Sequence, residues 1–463
     1  MRTPAAGAPR LARREGLRRR VHGIRLFVLS FAGLVVAGTA GLLLLPGLYT
    51  GPRLGVIDAL FTAASAVCVT GLTVVDTATY FTGWGQAWLL LLIQAGGLGI
   101  LAFATMIIQL LGGRGSLEVE VATGSGYGVR VGAIRSVLRP VFYLTLAIEG
   151  AGAVGLWLLW RAPLGDAGAV WPSVFHAISA FCNAGFSTFS DSLVGWRTST
   201  PVLLTIGTVI VLGGLGFVVL DEVRQRWIRR SVRRLSTQSR LALSATAVLL
   251  VGATIVFLFF ERQHSLEGLA PWSRFVNAVF MAVTPRTAGF NTVDYGQVSN
   301  PSLALTVALM IIGGAPGSTA GGLKVTSAAL LLLGFWTRLR GYQHVSVGGR
   351  TVREESVGRA AALGVAGIAI LAFATFLLLL VEPVAASQDR ADFVRIVFEV
   401  HSAFGTVGLS MDKTGELTSA GRIVLIALMF VGRVGPLALA AAMAARRGPA
   451  VTYRYAYEDV TVG

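Results

Sequence analysis

One short glycine motif occurs four times in this 463-residue chain. In each copy the glycine is followed by Leu or Phe and then by Thr, Ser or Asn. The copies read VTGLT, NAGFS, TAGFN and TVGLS, and their glycines are Gly71, Gly185, Gly289 and Gly408. Glycine adopts the positive φ values that let successive carbonyl groups point the same way. Because rings of backbone carbonyls replace the hydration shell of potassium, the motif predicts a potassium-selective pore lined by four loops.

The predicted ion-binding strands consist of the glycine of each copy and the two residues before it. They are Val69, Thr70 and Gly71; Asn183, Ala184 and Gly185; Thr287, Ala288 and Gly289; and Thr406, Val407 and Gly408. Only the glycine is the same in all four strands. Coordination by carbonyl groups needs only the backbone, so this variation is compatible with a selective filter.

An aspartate follows every motif glycine by four to six residues, at Asp76, Asp191, Asp294 and Asp412. Four carboxylates around the outer mouth of a pore would raise the local concentration of cations. We therefore predict that they line an outer vestibule. The alternative is that they are ordinary surface aspartates that cap the next segment.

The elements that must hold these loops are predicted to be membrane helices, because 54% of the residues are hydrophobic and only 13% are charged. Eight apolar segments have the length that a hydrocarbon core about 30 Å thick requires. They are Leu26–Leu45, Trp88–Leu111, Val141–Leu159, Val202–Leu220, Leu241–Phe260, Leu303–Trp336, Ala360–Val381 and Ile423–Ala445.

Shorter apolar segments precede the motifs, at Ile57–Ser65, Val174–Ser179, Phe275–Val283 and Phe393–Ala403. They are too short to cross and suit half-membrane helices that enter and turn back. The predicted fold is an all-α integral membrane protein whose eight transmembrane helices form four pseudo-symmetric membrane–pore–membrane repeats around one ion pore. The repeats cover residues 26–112, 139–223, 240–341 and 359–446, and the tails are 1–25 and 447–463.

The net charge of +16 is distributed as in a multi-pass membrane protein. Of 39 basic residues, 27 lie in residues 1–25, in the loops 113–140, 221–240 and 337–359, and in the residues 446–463 after the eighth span. The positive-inside rule places these segments and both termini in the cytoplasm and the glycine motifs on the outer side. The rule explains the charge, so we predict no nucleic-acid partner and a plasma (inner) membrane location.

The sixth apolar segment is interrupted by a run of twelve residues that contains five glycines and one proline. A continuous membrane helix does not tolerate this composition. The residues singled out in the run are Gly313, Gly314, Pro316, Gly317, Ser318, Thr319, Gly321, Gly322 and Lys324. If the run were a plain loop outside the membrane, Leu303–Ile312 would be too short to cross, so we favour an intramembrane loop.

Besides Lys324 in the sixth, two charged residues lie inside predicted spans, Arg433 in the eighth and Glu149 in the third. A charge at the centre of a span costs about 2.5–3.5 kcal/mol on insertion scales, so it normally faces water or a partner. The sequence suggests no specific role for Glu149. Glu399 and His401, in the fourth half-membrane segment, are interpreted as structural hydrogen-bond partners.

The four motifs between eight spans, with TPRTAGFN in the third copy, resemble the Trk/Ktr/HKT superfamily of potassium transporters. The resemblance covers nearly the whole chain. The Arg-rich tail leads directly into the first span, which is similar to the Ktr-type membrane subunit and unlike the Trk-type subunit with its two additional spans.

The resemblance implies a bacterial potassium-uptake subunit that forms a homodimer with two separate pores. It implies a cytosolic ring of nucleotide-binding, RCK-type regulatory subunits beneath the membrane. The loop 313–324 would be the gate under the filter, Lys324 would match a lysine of the family, and Arg433 would be a positive barrier in the conduction path.

The main alternative is a sodium-coupled secondary carrier, which a broken span also suggests. Four repeats that run in the same direction argue against it, because carriers built from inverted repeats would show two related halves. An enzyme is not expected, since the chain has no phosphate loop, no HExxH motif and no paired nucleophile and base. Potassium is the expected transported ion, with sodium as a candidate activator and no organic cofactor.

Overall fold

Helices form nearly all of the regular structure, as the apolar runs predict. A computed structural model describes residues 28–110, 131–227, 234–382 and 390–435. The predicted tails 1–25 and 447–463 and the end of the predicted span Ile423–Ala445 lie outside the described residues. A short antiparallel hairpin pairs β1 (Ser346–Val347) with β2 (Arg350–Thr351).

The helices are numbered in chain order. They are α1 (Val28–Leu44), α2 (Val56–Val67), α3 (Thr77–Tyr80), α4 (Gly83–Leu110), α5 (Val131–Leu164), α6 (Asp166–Cys182), α7 (Thr200–Leu215), α8 (Phe217–Trp227), α9 (Thr237–Phe260), α10 (Pro271–Val283), α11 (Asn300–Ile311), α12 (Val325–Leu339), α13 (Glu354–Val381), α14 (Arg390–Gly405) and α15 (Ser419–Val434). Three 3₁₀ turns lie at Val194–Trp196, Tyr295–Gln297 and Thr414–Glu416.

Four of these helices, α2, α6, α10 and α14, each end three to six residues before a motif glycine, and we call them the motif helices. All four contain the predicted short apolar segments but begin earlier in the chain. The largest extension is in α6, which begins at Asp166 instead of Val174. An acidic residue in the first turn is favoured by the helix dipole, which explains an early start that hydropathy does not reveal.

Three helices of the described residues are long and apolar enough to cross a membrane: Arg139–Leu164, Thr237–Phe260 and Glu354–Val381. The pair α7 and α8 would make a fourth span if it is counted as one, but it bends by 101°. The predicted span Val202–Leu220 therefore consists of two helices that meet at a bend. The break lies at Gly216, whose φ of 79° is accessible to glycine and unfavourable for other residues. The count of eight spans remains a prediction.

The helices are arranged in a ring around the motifs. Each motif helix packs against a helix that follows the motif in the preceding quarter of the chain: α6 on α4, α10 on α7, and α14 on α11. The ring closes where α2 packs against α15. At that junction Arg422 of α15 forms a salt bridge with Asp58 of α2, although 364 residues separate them in sequence.

Two buried glutamates connect helix ends in an equivalent way in the third and fourth quarters of the chain. Glu261, at the end of α9, accepts hydrogen bonds from the backbone N–H and the hydroxyl of Ser299, just before α11, at 3.1 and 2.5 Å. Glu382, after α13, accepts the same pair of bonds from Thr418, just before α15, at 3.0 and 2.8 Å. A charged acceptor thus binds the otherwise unpaired N–H groups at the start of the next long helix.

We expect Glu261→Gln to lower the stability of the protein in detergent by about 1–2 kcal/mol, because bonds to a charged acceptor become bonds to a neutral one. The measurement is thermal unfolding of the purified protein. Glu267→Gln is the matched control, since Glu267 is exposed nearby and loses the same charge. Equal unfolding temperatures for the two variants would contradict the assigned role of Glu261.

Candidate ion-conduction site

The four glycine motifs share one unusual backbone conformation. The glycines have φ values of 92° (Gly71), 70° (Gly185), 77° (Gly289) and 94° (Gly408). The first residue of each predicted strand also has a positive φ: 56° at Val69, 60° at Asn183, 76° at Thr287 and 50° at Thr406. Positive φ is uncommon outside glycine and is an outlier for β-branched residues. Its recurrence at four equivalent positions shows that the surrounding structure holds the backbone in a constrained conformation.

The four loops meet one another in a closed cycle. A Cβ atom added to Gly71 would collide with the carbonyl oxygen of Ala184, and one added to Gly185 would lie 2.9 Å from that of Ala288. The cycle continues from Gly289 to Val407 and from Gly408 back to Thr70.

Each glycine is therefore required twice, for its φ and for its lack of a side chain at the contact with the next loop. The structure brings all twelve predicted strand residues together in this ring, where they are buried except for half-buried Gly185 and Gly408.

A hydroxyl from each motif helix fixes the loop that follows it. Ser65 and Ser402 accept from the N–H groups of Gly71 and Gly408, both at 3.1 Å. In the other two copies the hydroxyl donates to the carbonyl after the glycine, from Ser179 to Phe186 at 2.8 Å and from Thr284 to Phe290 at 2.5 Å. The sequence alone suggested no role for these hydroxyls, although a serine lies six residues before the glycine in three of the four copies.

The four motif helices end three to six residues before the ring glycines, so their C-terminal ends lie close to the ring. The carbonyl end of a helix carries a partial negative charge equivalent to about half an elementary charge. Four such ends around one axis favour a cation there. The arrangement can therefore strip water from a cation, coordinate it through backbone oxygens and stabilise its charge without an acidic side chain.

The non-helical segment 312–324 separates α11 from α12, where the sequence predicts the interruption, and we call it the inner loop. Its two ends are joined, because Gly313 N donates to Leu323 O at 2.8 Å and Leu323 N donates to Ile311 O at 3.0 Å. The inner loop reaches the glycine ring: a Cβ added to Gly321 would collide with the Thr406 side chain, and one added to Gly313 would lie 3.4 Å from Thr287.

The inner loop is also bound to the break between α7 and α8, a contact that the sequence did not suggest. Ala315 N donates to Gly214 O at 2.8 Å, and Phe217 N donates to Gly317 O at 3.0 Å. A Cβ added to Gly216 would lie 2.8 Å from Gly317 O. The bend leaves a backbone C=O and a backbone N–H of the fourth apolar run without partners inside the helix. The inner loop supplies the hydrogen-bond partners for both groups.

Arg433 is buried, with 3% of its surface exposed, and its guanidinium donates to Thr319 O of the inner loop and, at 3.5 Å, to Gly96 O. Within the described residues it makes no salt bridge. Glu149 accepts from Gln94 at 3.0 Å instead and is not the partner of Arg433. Lys324 donates to Ala320 O at 2.5 Å. Both cations singled out in the sequence therefore bind carbonyl groups of the inner loop.

The four aspartates after the motifs are all exposed, and three of them bind backbone N–H groups. Asp76 accepts from Ala78 N at 3.0 Å, Asp191 from Gly195 N at 2.7 Å, and Asp294 from Gly296 N at 2.8 Å. Asp412 has a φ of 57°. The capping alternative thus describes three of the four, and the vestibule remains a prediction.

Asp76 also accepts from Ser190 Oγ of the second motif segment at 2.6 Å and from Thr79 at 2.8 Å. Partial burial alone would raise the pKa of Asp76, but these hydrogen bonds outweigh it and hold the pKa below the ordinary value. The carboxylate therefore stays charged at neutral pH while it connects the first and second loops.

Known proteins match this chain over nearly its full length. Residues 12–447 match the TrkH family, described as cation transport protein. The chain is 36% identical to the potassium/sodium uptake protein NtpJ of Enterococcus hirae, over 97% of this chain and 99% of the relative. It is 37% identical to the Ktr system potassium uptake protein B of Vibrio alginolyticus, over 95% and 94%.

The fold is similar to the crystal structure of the potassium transporter TrkH from Vibrio parahaemolyticus. The TM-score is 0.72 at 22% sequence identity, and the match covers 91% of this chain and 84% of that one. The all-α fold and the membrane protein character predicted from composition agree with this likeness. With its glycine ring and a match over residues 12–447, the chain belongs to the TrkH family of cation transport proteins.

Proposed function

We propose that this chain is the ion-translocating subunit of a bacterial potassium uptake system of the Ktr type. The observation that carries the proposal is the closed cycle of four glycine loops, in which backbone carbonyls from four segments meet around one axis. Relatives at 36–37% identity are named as potassium uptake proteins. Potassium is the transported ion, and conduction through the ring is channel-like.

The finer architecture belongs to the same proposal. Eight membrane spans form four membrane–pore–membrane repeats, both termini are cytoplasmic, and residues 313–324 of the inner loop close the path beneath the filter. Arg433 and Lys324 hold that loop and add positive charge to the path. Two copies of the chain form a dimer, and a cytosolic ring of nucleotide-binding regulatory subunits opens the gate.

The test of function is complementation of a bacterial strain that lacks potassium uptake, followed by rubidium flux into liposomes that contain the purified chain. We expect growth at low potassium and a flux that potassium inhibits. Failure of folded protein to support either would refute the proposal. Growth and flux are measured with and without the regulatory subunit to test the partner separately.

A sodium-coupled cation carrier is the second candidate, because one relative is named as a potassium/sodium uptake protein. The two functions differ in coupling. A channel equilibrates potassium with the membrane potential whether or not a sodium gradient exists, whereas a coupled carrier accumulates potassium when only the sodium gradient is supplied. Liposomes with a sodium gradient and a clamped potential distinguish them.

The filter assignment predicts that Gly185→Ser and Gly289→Ser reduce the discrimination of potassium from sodium by about tenfold or more. A side chain at either position forces apart the carbonyls of adjacent loops. The measurement is inhibition of rubidium flux by sodium and by potassium. Gly252→Ser, in α9 where an added Cβ meets nothing within 4 Å, is the control. Unchanged discrimination in the two filter variants would refute the assignment.

A further inference from the structure

Behind two of the four glycine loops, a buried polar side chain of the motif helix contacts a hydroxyl just beyond the glycine. The helix residue lies nine positions before the glycine and the hydroxyl two positions after it. The pairs are His176 with Ser187 in the second loop and Glu399 with Ser410 in the fourth. Equal spacing and equal geometry in two sequences that otherwise differ indicate a common role.

In the fourth loop, Glu399 is completely buried. One carboxylate oxygen accepts from Ser410, and the other accepts from Thr414 at 2.7 Å. The backbone N–H groups of Met411 and Lys413 also bond to this carboxyl group. Among the described residues it makes no salt bridge, so these four hydrogen bonds stabilise it. Such a group is expensive to bury unless its hydrogen bonds are complete, which fixes the loop firmly onto the helix.

In the second loop, His176 Nδ1 lies 2.8 Å from Pro172 O, a carbonyl that can only accept. Nδ1 therefore carries the proton, and Nε2 of the neutral ring accepts from Ser187 Oγ at 2.9 Å. The ring also stacks on Phe189 with a centroid distance of 5.0 Å. These contacts attach the segment after Gly185 to the motif helix.

The first and third loops lack this contact. Thr62, nine residues before Gly71, has a buried hydroxyl with no hydrogen-bond partner among the described residues. Phe280, nine residues before Gly289, is apolar. Because the glycine cycle runs from the first loop to the second, third and fourth, the two braced loops lie opposite each other across the axis.

We propose that His176 and Glu399 are positioning residues that brace two opposite strands of the ion filter and thereby set its discrimination between potassium and sodium. A carbonyl ring that can contract accommodates the smaller ion, and a hydrogen bond from helix to loop resists contraction. The inference rests on the proposed filter function of the glycine ring. It adds that the four strands are restrained unequally, because this second bond from helix to loop is present in two of them and absent from the other two.

The test removes one hydroxyl from each brace with Ser410→Ala and Ser187→Ala and leaves both motif helices intact. Thr73→Val is the matched control, because Thr73 occupies the same position after Gly71 in an unbraced loop. Sodium and potassium inhibition of rubidium flux is measured per folded protein in liposomes. We expect each alanine variant to lose about threefold to tenfold of its potassium discrimination, the factor that one hydrogen bond supplies. Thr73→Val should retain it.

Ser410→Thr keeps the hydroxyl and should retain most of the discrimination, which a role in packing alone does not require. His176→Phe keeps the stack on Phe189 and removes the bond to Ser187 together with the bond within the helix to Pro172 O, so it provides a second variant if Ser187→Ala does not fold. The proposed bracing role would be refuted if discrimination were unchanged in Ser410→Ala and in the folded second-loop variant. An equal loss in Thr73→Val would also refute it. If the Gly185→Ser and Gly289→Ser variants also discriminate normally, the filter assignment itself fails.

Discussion

Replacement of Arg433 by alanine is expected to raise potassium flux about a hundredfold. A guanidinium about 6 Å from the ion path repels a cation by about 3 kcal/mol at an effective dielectric constant of about 20. Removing that energy from the rate-limiting barrier multiplies the rate by about a hundred. The same substitution removes the hydrogen bond from Arg433 to Thr319 O, so the inner loop is also released. The two effects have the same sign.

The structure makes this experiment practicable. If Arg433 neutralised a buried carboxylate, the alanine variant would leave that charge unpaired at a cost of about 3–5 kcal/mol and would fold poorly. Glu149 is the acidic residue that lies inside a predicted span, and it accepts its hydrogen bond from Gln94. The described residues give Arg433 only carbonyl partners, so we expect the variant to be expressed.

Two further variants distinguish the effect of the positive charge from the effect of the hydrogen bonds to the inner loop. Arg433→Lys keeps the positive charge but has no guanidinium fork to bind Thr319 O and Gly96 O together, so it should raise flux much less than alanine if charge dominates. Arg422→Ala is the control on the same helix, since Arg422 pairs with Asp58 at the other end of α15. The measurement is rubidium flux per folded protein. A well-expressed Arg433→Ala protein with wild-type or lower flux would show that Arg433 is not an electrostatic barrier to the ion.

The glycine ring was predictable from the sequence because its requirement is local. A loop that needs positive φ and no side chain selects glycine wherever it recurs, so four copies at matched places reveal four equivalent loops. The interruption of the sixth apolar run was predictable for the same reason, since five glycines and a proline in twelve residues exclude a continuous helix. Both the glycine loops and the interruption can therefore be read from residue types alone.

The contacts between distant segments were not predictable. The break at Gly216 lies in an apolar run that differs from a continuous helix by a few glycines, and its cause is the docked inner loop about a hundred residues later. The partner of Arg433 proved to be a backbone carbonyl, which no residue pattern identifies. The aspartates recur after all four motifs, but their positions suit capping as well as a vestibule, and residue type does not separate the two roles.

Deletion of residues 314–321 is expected to raise flux by more than about tenfold and to make it independent of the regulatory subunit, because the proposed obstruction is steric. The inner loop is mostly buried and contacts the Thr406 side chain of the ring. Its ends are already joined through Gly313 and Leu323, so the flanking helices remain connected after the deletion. The measurement is flux in liposomes with and without the regulatory subunit.

Gly216→Ala tests the same gate without a deletion. An alanine there is strained at a φ of 79° and places a methyl group 2.8 Å from Gly317 O, which must displace the inner loop from the break between α7 and α8. We expect a smaller rise in flux than in the deletion, because the loop is dislodged and still present. Gly150→Ala, in α5 where an added Cβ meets nothing within 4 Å, should change nothing. If folded deletion and Gly216→Ala proteins both conduct at the wild-type rate, the inner loop is a connector and the gate must be sought elsewhere.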